Sequence, residues 1–175
     1  MTDSRVTPPT SDEYAQFYAG YIRRVIHTDV LATLREQEHE VAQRFGAVPP
    51  ERESFRYGSE KWSVRQVLGH MVDAERLFGT RALAIARGEQ ASLPSFDENA
   101  YVAAAPFENV PLGDLLAEFL IVRRGHSLMF GHLTPEDWAR KGVVNERAIA
   151  LRALPFIMAG HVHHHLEILA ARYGI

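Results

Sequence analysis

Cysteine is absent from this chain. That lack excludes disulfides, zinc-thiolate sites and cysteine nucleophiles together. It also fits a reducing compartment. No apolar run approaches the length needed to cross a bilayer. The opening Met1-Thr2-Asp3-Ser4-Arg5 is polar and is followed by prolines, without the apolar stretch of a signal peptide. A cytoplasmic protein without a membrane partner is expected. Positive charge is scarce too: the formal net charge is -3, and the basic residues come in short pairs such as Arg23-Arg24 and Arg123-Arg124. Nucleic-acid binding would want a basic face, so no nucleic-acid partner is expected. A Gly-rich phosphate loop and a Gly-x-Ser-x-Gly elbow are both missing, and no segment alternates convincingly as a strand.

What the chain has in abundance is helical periodicity. Its 175 residues predict one domain over 1–175, with residues 1–10 as an extended or disordered lead-in before and around Pro8-Pro9. A short helix is expected around Asp12 to Tyr18. The first long helix is read over Thr28 to Phe45, with Val30, Leu31, Leu34, Val41 and Phe45 near helical spacing. The second starts at Ser63, where Ser63-Val64-Arg65-Gln66 has the capping-box form, and stops near Arg87-Gly88. A connection over 89–111 holds Pro94, Pro106, Pro111 and a short helix near Phe96 to Ala104. The third long helix is read over Leu112 to Leu133. After a polar connection over 136–147, the fourth runs from about Leu151 to Tyr173, with Pro155 forcing a short first turn or a kink. Four amphipathic segments imply an all-α, antiparallel four-helix bundle, a common host of metal sites.

Histidine is the residue that carries chemistry. The fourth helix contains Gly160-His161-Val162-His163-His164-His165-Leu166-Glu167. Residues four apart share a helix face, so His161 and His165 form a pair of imidazoles pointing the same way. His70, in Gly69-His70-Met71-Val72-Asp73-Ala74-Glu75, lies on a core-facing stripe of the second helix with Gln66, Asp73, Leu77 and Arg81. Glu75 points away from that stripe. A third nitrogen from His70 would make a three-ligand metal site with an open position, the catalytic arrangement. A core histidine bonded to a neighbour is the bland alternative for His70. His163 is expected to be exposed, and His164 to be an alternative ligand or a supporting group. His27, His39, His126 and His132 are expected at the surface or an interface, although the third helix can bring His126 near the site. Asp73, one turn after His70, is a candidate base, a further metal ligand or a group that orients a ligating ring; a salt bridge to Arg76 or Arg81 is its bland alternative. Val162 stands where His-Glu-x-x-His would put its glutamate and the second histidine comes one residue late, so this is not a zincin.

On these motifs the chain resembles the DinB-like (YfiT-like) metalloenzymes. The resemblance runs from about Tyr14 to Tyr173. It is carried by Lys61-Trp62-Ser63-Val64-Arg65 leading into Gly69-His70 through Arg76, then Arg81-Ala82-Leu83 with Ala86-Arg87-Gly88, and finally Ala159-Gly160-His161 through His165-Leu166. It implies an up-down-down-up bundle with a long crossover, where the residues alone suggest simple alternation. It implies a metal triad of His70, His161 and His165, and a homodimer. Many such relatives carry a glutamate after the first histidine of the helical pair, where this chain has Val162. The wider group includes thiol transferases using mycothiol or bacillithiol and a maleylpyruvate isomerase. The family's name comes from DNA-damage induction and does not imply nucleic-acid binding.

The expected function is thus a divalent-metal-dependent enzyme, with zinc, nickel and iron all suited to three imidazoles. Two reactions compete on an unknown small-molecule substrate: hydrolysis, and transfer of a low-molecular-weight thiol supplied from outside. Arg81 or Arg172 near the mouth would favour an anionic thiol. The other reading is a non-catalytic metal-binding or stress-related dimeric bundle.

Overall fold

In a computed structural model, the structure describes residues 6–175. The lead-in expected over 1–10 lies outside the described residues at 1–5; from Val6 to Thr10 the chain has no regular structure, and Val6 and Pro9 are buried. Seven helices follow: α1 (Ala19–Val25), α2 (Val30–Gly46), α3 (Val64–Ala86), α4 (Glu98–Ala104), α5 (Leu112–Gly131), α6 (Pro135–Trp138) and α7 (Ala153–Ile168). A π-helical turn, Leu169–Tyr173, extends α7.

Local chemistry sets the ends. Asp29 caps α2 by accepting from the Leu31 and Ala32 amides. At α3 the expected capping box is formed: Ser63 Oγ accepts from Gln66 N at 3.1 Å, and Gln66 Oε1 accepts from Ser63 N at 3.0 Å. Gly88, at φ 85°, ends that helix in the left-handed region. Pro155 is the third residue of α7. The first four amides of a helix have no intrahelical partner, so the proline costs no hydrogen bond there.

Side-chain pairs give the directions of the four long helices. On α2 and α7, Gln37 meets Ala159 and Arg44 meets Ile175, so the two run parallel. On α3 and α7, Trp62 meets Tyr173 and Phe78 meets His161, so these are antiparallel. On α3 and α5, Arg76 pairs with Glu118 and His126 lies against Gly79, so these are parallel. The order is up-down-down-up, with α2 and α3 packing against both α5 and α7. Simple alternation is therefore overturned. Parallel neighbours α3 and α5 need a long connection, which residues 87–111 supply.

Two further expectations are corrected. The helix expected over Asp12 to Tyr18 is instead a set of turns and one 3-10 turn, Gln16–Tyr18, and the regular helix is α1 just after it. In the connection over 136–147, α6 is followed by a small hairpin, β1 (Lys141–Val144) and β2 (Arg147–Ala150), registered Gly142 to Ile149 and Val144 to Arg147. Asn145 and Glu146 both have positive φ (48° and 60°), as a two-residue hairpin turn requires. Gly142 lets the hairpin lie on α3, since a Cβ there would come 2.4 Å from Ile85. Leu93 pairs with Val143 and Asn145, fastening the long crossover to the hairpin. No helix among the described residues is long and apolar enough to cross a membrane.

The apolar core has two lobes, one around Leu34, Phe78, Ile85, Phe130 and Phe156, the other around Val41, Leu68, Phe119, Val162 and Leu166. Between them lies a layer of buried polar residues: Gln37, His70, Glu75, Arg123, His161 and His165.

Candidate metal centre

Within that layer α3 and α7 bring their histidines together. His70 Nε2 is 2.9 Å from His161 Nε2, and His165 Nε2 is 3.1 Å from the same atom. The three residues are buried and each offers a nitrogen within 4.8 Å of the others. Two nitrogens bound tetrahedrally to one ion at about 2.0–2.1 Å would lie about 3.3 Å apart. The observed spacing is close to that. Direct hydrogen bonding explains it poorly, because a ring nitrogen is either one donor or one acceptor and cannot serve every approach. The protonation state also fits. Burial, then the charge of His164, lowers the pKa of His70 to about 4. Burial and the neighbouring histidines hold His161 and His165 well below the ordinary value. All three rings are neutral near pH 7, the form that ligates a metal.

The elements around the triad fix its rings. Trp62 lies against His70 at a centroid distance of 4.7 Å, and Tyr173 Oη holds the Trp62 carbonyl at 2.7 Å. Tyr21 and Phe78 meet His161 edge-on. Tyr21 gets there because α1 crosses α7 at Gly160, where a Cβ would come 2.1 Å from the Tyr21 carbonyl oxygen. Glycine permits that close backbone approach.

Two cavities reach the triad. The larger, about 520 Å³, touches His70 and His161 and is walled by α1, α3, the crossover and the hairpin. The smaller, about 270 Å³, touches His70, His164 and His165 and is walled by Trp62, Tyr57, Lys61 and Tyr173. Tyr21, His70 and Glu98 line both. Burial and the Glu98 carboxylate raise the pKa of the Tyr21 phenol, so it holds its proton.

The other expected residues fall as follows. Asp73 is half-buried, and its carboxylate lies 4.0 Å from Arg76; it lines neither cavity. Burial and then Glu118, against Arg76, set its raised pKa. His164 stands beside the triad, 3.5 Å from Arg24, and lines the smaller cavity. His163 is half-buried, where exposure was expected, while His27, His39 and His132 are exposed. His126 is not at the surface: it packs over Gly79 with Nδ1 3.5 Å from Glu75. Arg81 lines the larger cavity, and Arg172 is exposed and lines neither. Tyr21, Glu98 and Trp62 have no role in the sequence reading of the site. The usable signal for Tyr21 was Gly160, a glycine inside a helix and thus a mark of close approach.

A bundle of this topology with two helices supplying a buried three-histidine cluster defines a class, and the sequence comparison agrees. The DinB superfamily matches residues 33–169, and the chain belongs to that superfamily. Among solved structures, YfiT from Bacillus subtilis, described as a probable metal-dependent hydrolase with an unusual four-helix bundle topology, superposes with a TM-score of 0.74 at 19% identity, over 95% of this chain and 93% of that one. A mycothiol-dependent maleylpyruvate isomerase superposes with a TM-score of 0.66 at 9% identity, over 83% of this chain and 61% of that one. At these identities the likeness is one of fold. A comparison with curated proteins found no match.

Proposed function

We propose that the protein is a metal-dependent enzyme whose divalent ion, zinc, nickel or iron, is held by His70, His161 and His165. The observation that carries this is the convergence of three buried, neutral imidazoles at a point that two cavities reach. The described structure places no cysteine, carboxylate or fourth histidine in the cluster, which leaves room for a non-protein ligand. A bound ion supplies Lewis acidity there and lowers the pKa of a water or thiol occupying an open position.

Thiol transfer is favoured over hydrolysis by the pair of cavities, since a two-substrate reaction needs a place for each partner on either side of one centre. The smaller chamber would take a low-molecular-weight thiol, with Lys61 and His164 as polar wall groups. The larger would take the electrophile. In a substitution, the thiol proton would pass to the Glu98 carboxylate as the C–S bond forms and the bond from that carbon to its leaving group breaks; the leaving group would depart with the electron pair and take a hydrogen bond from the protonated Tyr21 Oη. Hydrolysis by water would use the same two side chains. The superposed structures supply a counterpart for each reaction, one described as a probable metal-dependent hydrolase and one as a mycothiol-dependent isomerase. A homodimer belongs to this proposal, and Ile121 (73% exposed) and Leu128 on α5 are apolar groups available to an interface. The second reading, a non-catalytic metal-binding bundle, would have no use for two cavities meeting at the cluster.

Elemental analysis tests this on untagged protein purified without metal resin, alongside His161→Ala. One metal per chain, lost in the variant, is the expected result. Wild type without metal, even after zinc, nickel or iron is added, would sink the reading. Turnover by the loaded protein that requires an added thiol would select transfer over hydrolysis.

A further inference from the structure

Arg81 is a buried cation that pairs with no carboxylate among the described residues. It is 5% exposed. Among the described residues no carboxylate lies within ion-pair distance of it, although its wall includes Glu98. Its two identified partners are neutral: Nη2 donates to the Pro94 carbonyl at 2.7 Å, and Nη1 lies 3.4 Å from Tyr18 Oη. A guanidinium has five N–H donors, so at least three remain. The fold treats its other buried arginine differently. Arg123 is fully buried and closed on both oxygens of Glu75 and on Gln37. An arginine buried for structure is paired here, and the one buried against the cavity is not. Burial without a partner charge is unfavourable, so the missing anion is the informative feature.

The surroundings specify what the anion is attached to. Between Arg81 and the triad the wall is aromatic and aliphatic: Phe78 touches His161 and sits 5.8 Å from the Arg81 guanidinium, Phe96 lies at the same distance, and Ile149 and Val144 come from the hairpin. The Phe78 ring bridges the two ends, with its centroid 5.9 Å from that of His161 and 5.8 Å from the guanidinium carbon, which keeps the cation and the triad within the reach of a fused two-ring body. Arg147, exposed on β2, adds a second positive charge at the rim.

We infer that the larger chamber takes an elongated organic carboxylate with an apolar, aromatic-sized body, its carboxylate held by Arg81 and its other end presented to the histidines. The planar guanidinium fork matches a carboxylate, which can accept two parallel N–H donors. Calling this occupant the substrate rests on the metal-enzyme proposal above; the anion site itself does not. The carboxylate end is thus a handle, remote from the reacting group, and Arg81 is a specificity-determining residue.

The test uses 2-naphthoate and its neutral isostere 2-naphthamide, titrated calorimetrically into chelator-treated wild type, Arg81→Met, Arg81→Lys and His161→Ala, with metal content measured on the same preparations before chelation. Wild type and His161→Ala should bind the acid at least tenfold more tightly than the amide. Arg81→Met should lose that preference and Arg81→Lys keep part of it. Equal affinity for acid and amide in wild type, no binding of either at millimolar concentration, or a preference that survives in Arg81→Met would overturn the inference. The wild-type comparison needs no variant, so a misfolded Arg81→Met does not rescue the idea. An Arg81-dependent preference in protein that never binds metal would leave the anion site standing and the metal proposal fallen; metal binding without the preference would do the reverse.

Discussion

The polar layer of the bundle contains two clusters that differ in one respect. Around Arg123 each strong donor meets an acceptor: Nε and Nη2 grip Glu75 at 2.9 and 2.5 Å, Nη1 reaches Gln37 Oε1 at 2.8 Å, and Gln37 Nε2 passes on to the Ala159 carbonyl at 2.8 Å. This relay joins α3, α5, α2 and α7 and lines neither of the cavities that reach the triad. Around His161 the nitrogens point at one another across 2.9 and 3.1 Å and face two cavities. A buried polar group needs a partner. The first cluster finds the partner for its buried charge within the fold. The second turns three buried imidazole nitrogens toward one another, with no carboxylate among them, where two cavities meet.

That contrast can be broken most directly at the ion pair. Glu75→Ala strands a fully buried guanidinium, and the loss of stability should be about 3–5 kcal/mol. Urea denaturation would measure it. A Glu75→Leu, Arg123→Met double variant should be far less damaging than either single change, because no charge is then left unpaired. If the single variant unfolds no more easily than wild type, the cluster is not the structural member of the pair.

The histidine cluster should behave in the opposite way. His161→Ala leaves a cavity but strands no charge, so metal-free protein should lose less than Glu75→Ala does. The difference should appear on adding metal: at a hundredfold excess over its Kd a native-state ligand contributes about 2.7 kcal/mol, and thermal denaturation should show that gain in wild type alone. A comparable gain in His161→Ala would place the metal elsewhere.

Gly160 joins the two regions to α1. In Gly160→Ala the new methyl would meet the Tyr21 backbone at 2.1 Å. Backbone cannot rotate away as a side chain does, so α1 must move and the cost should be about 1–3 kcal/mol. Tyr21 would leave His161 with it, which fluorescence quenching or the His161 ring resonances would report.

Acid tests the ion pair through its carboxylate. Burial pushes the Glu75 carboxyl up, but Arg123 and His126 outweigh it and hold the folded pKa below 4.5. A depressed carboxyl contributes stability that is full above its unfolded value and is lost as pH falls through its folded one. The stability of wild type relative to Glu75→Gln should therefore be constant near neutral pH and shrink as pH drops below 4.5. A constant difference throughout that range would mean that Glu75 is not ionised in the fold.

How much of this was visible in the sequence follows the same division. The triad was legible because His161 and His165 are four apart on one helix and His70 sits on a core stripe, which is short-range information. The spans of α2, α3 and α5 were legible for the same reason, through periodicity and caps such as Ser63-Gln66. Arg123 was read only as half of the short basic pair Arg123-Arg124, because its burial is decided by Gln37 and Glu75 on other helices. The α1 helix and the hairpin were missed because both are short and owe their form to contact, α1 against Gly160 and the hairpin against Ile85. Tyr21 and Glu98 gain their places around the cavities from α1 and from the crossover, whereas Arg81 was already legible on the core-facing stripe of α3 with His70. Helix direction was not in the periodicity at all; it entered through the family resemblance and is fixed by pairs such as Arg76 with Glu118.

Asp73 is the residue on which the comparison can be sharpened with the smallest effect. It sits one turn beyond His70, where a group that orients a ligating ring is expected. Its carboxylate instead lies 4.0 Å from Arg76 on a half-exposed face, and its raised pKa marks a charge that burial and Glu118 disfavour. A partly exposed pair of this kind contributes little. Asp73→Asn should therefore change stability by no more than about 0.5 kcal/mol, with any change toward greater stability, since a disfavoured charge is removed. Metal affinity is the discriminating readout. Loss of a group that orients a metal ligand typically lowers affinity by about 10–100-fold. Unchanged affinity in Asp73→Asn, measured by competition with a chromophoric chelator, would assign Asp73 to the surface of α3. A drop of that size would return it to the histidine cluster, by a rearrangement that metal binding itself drives.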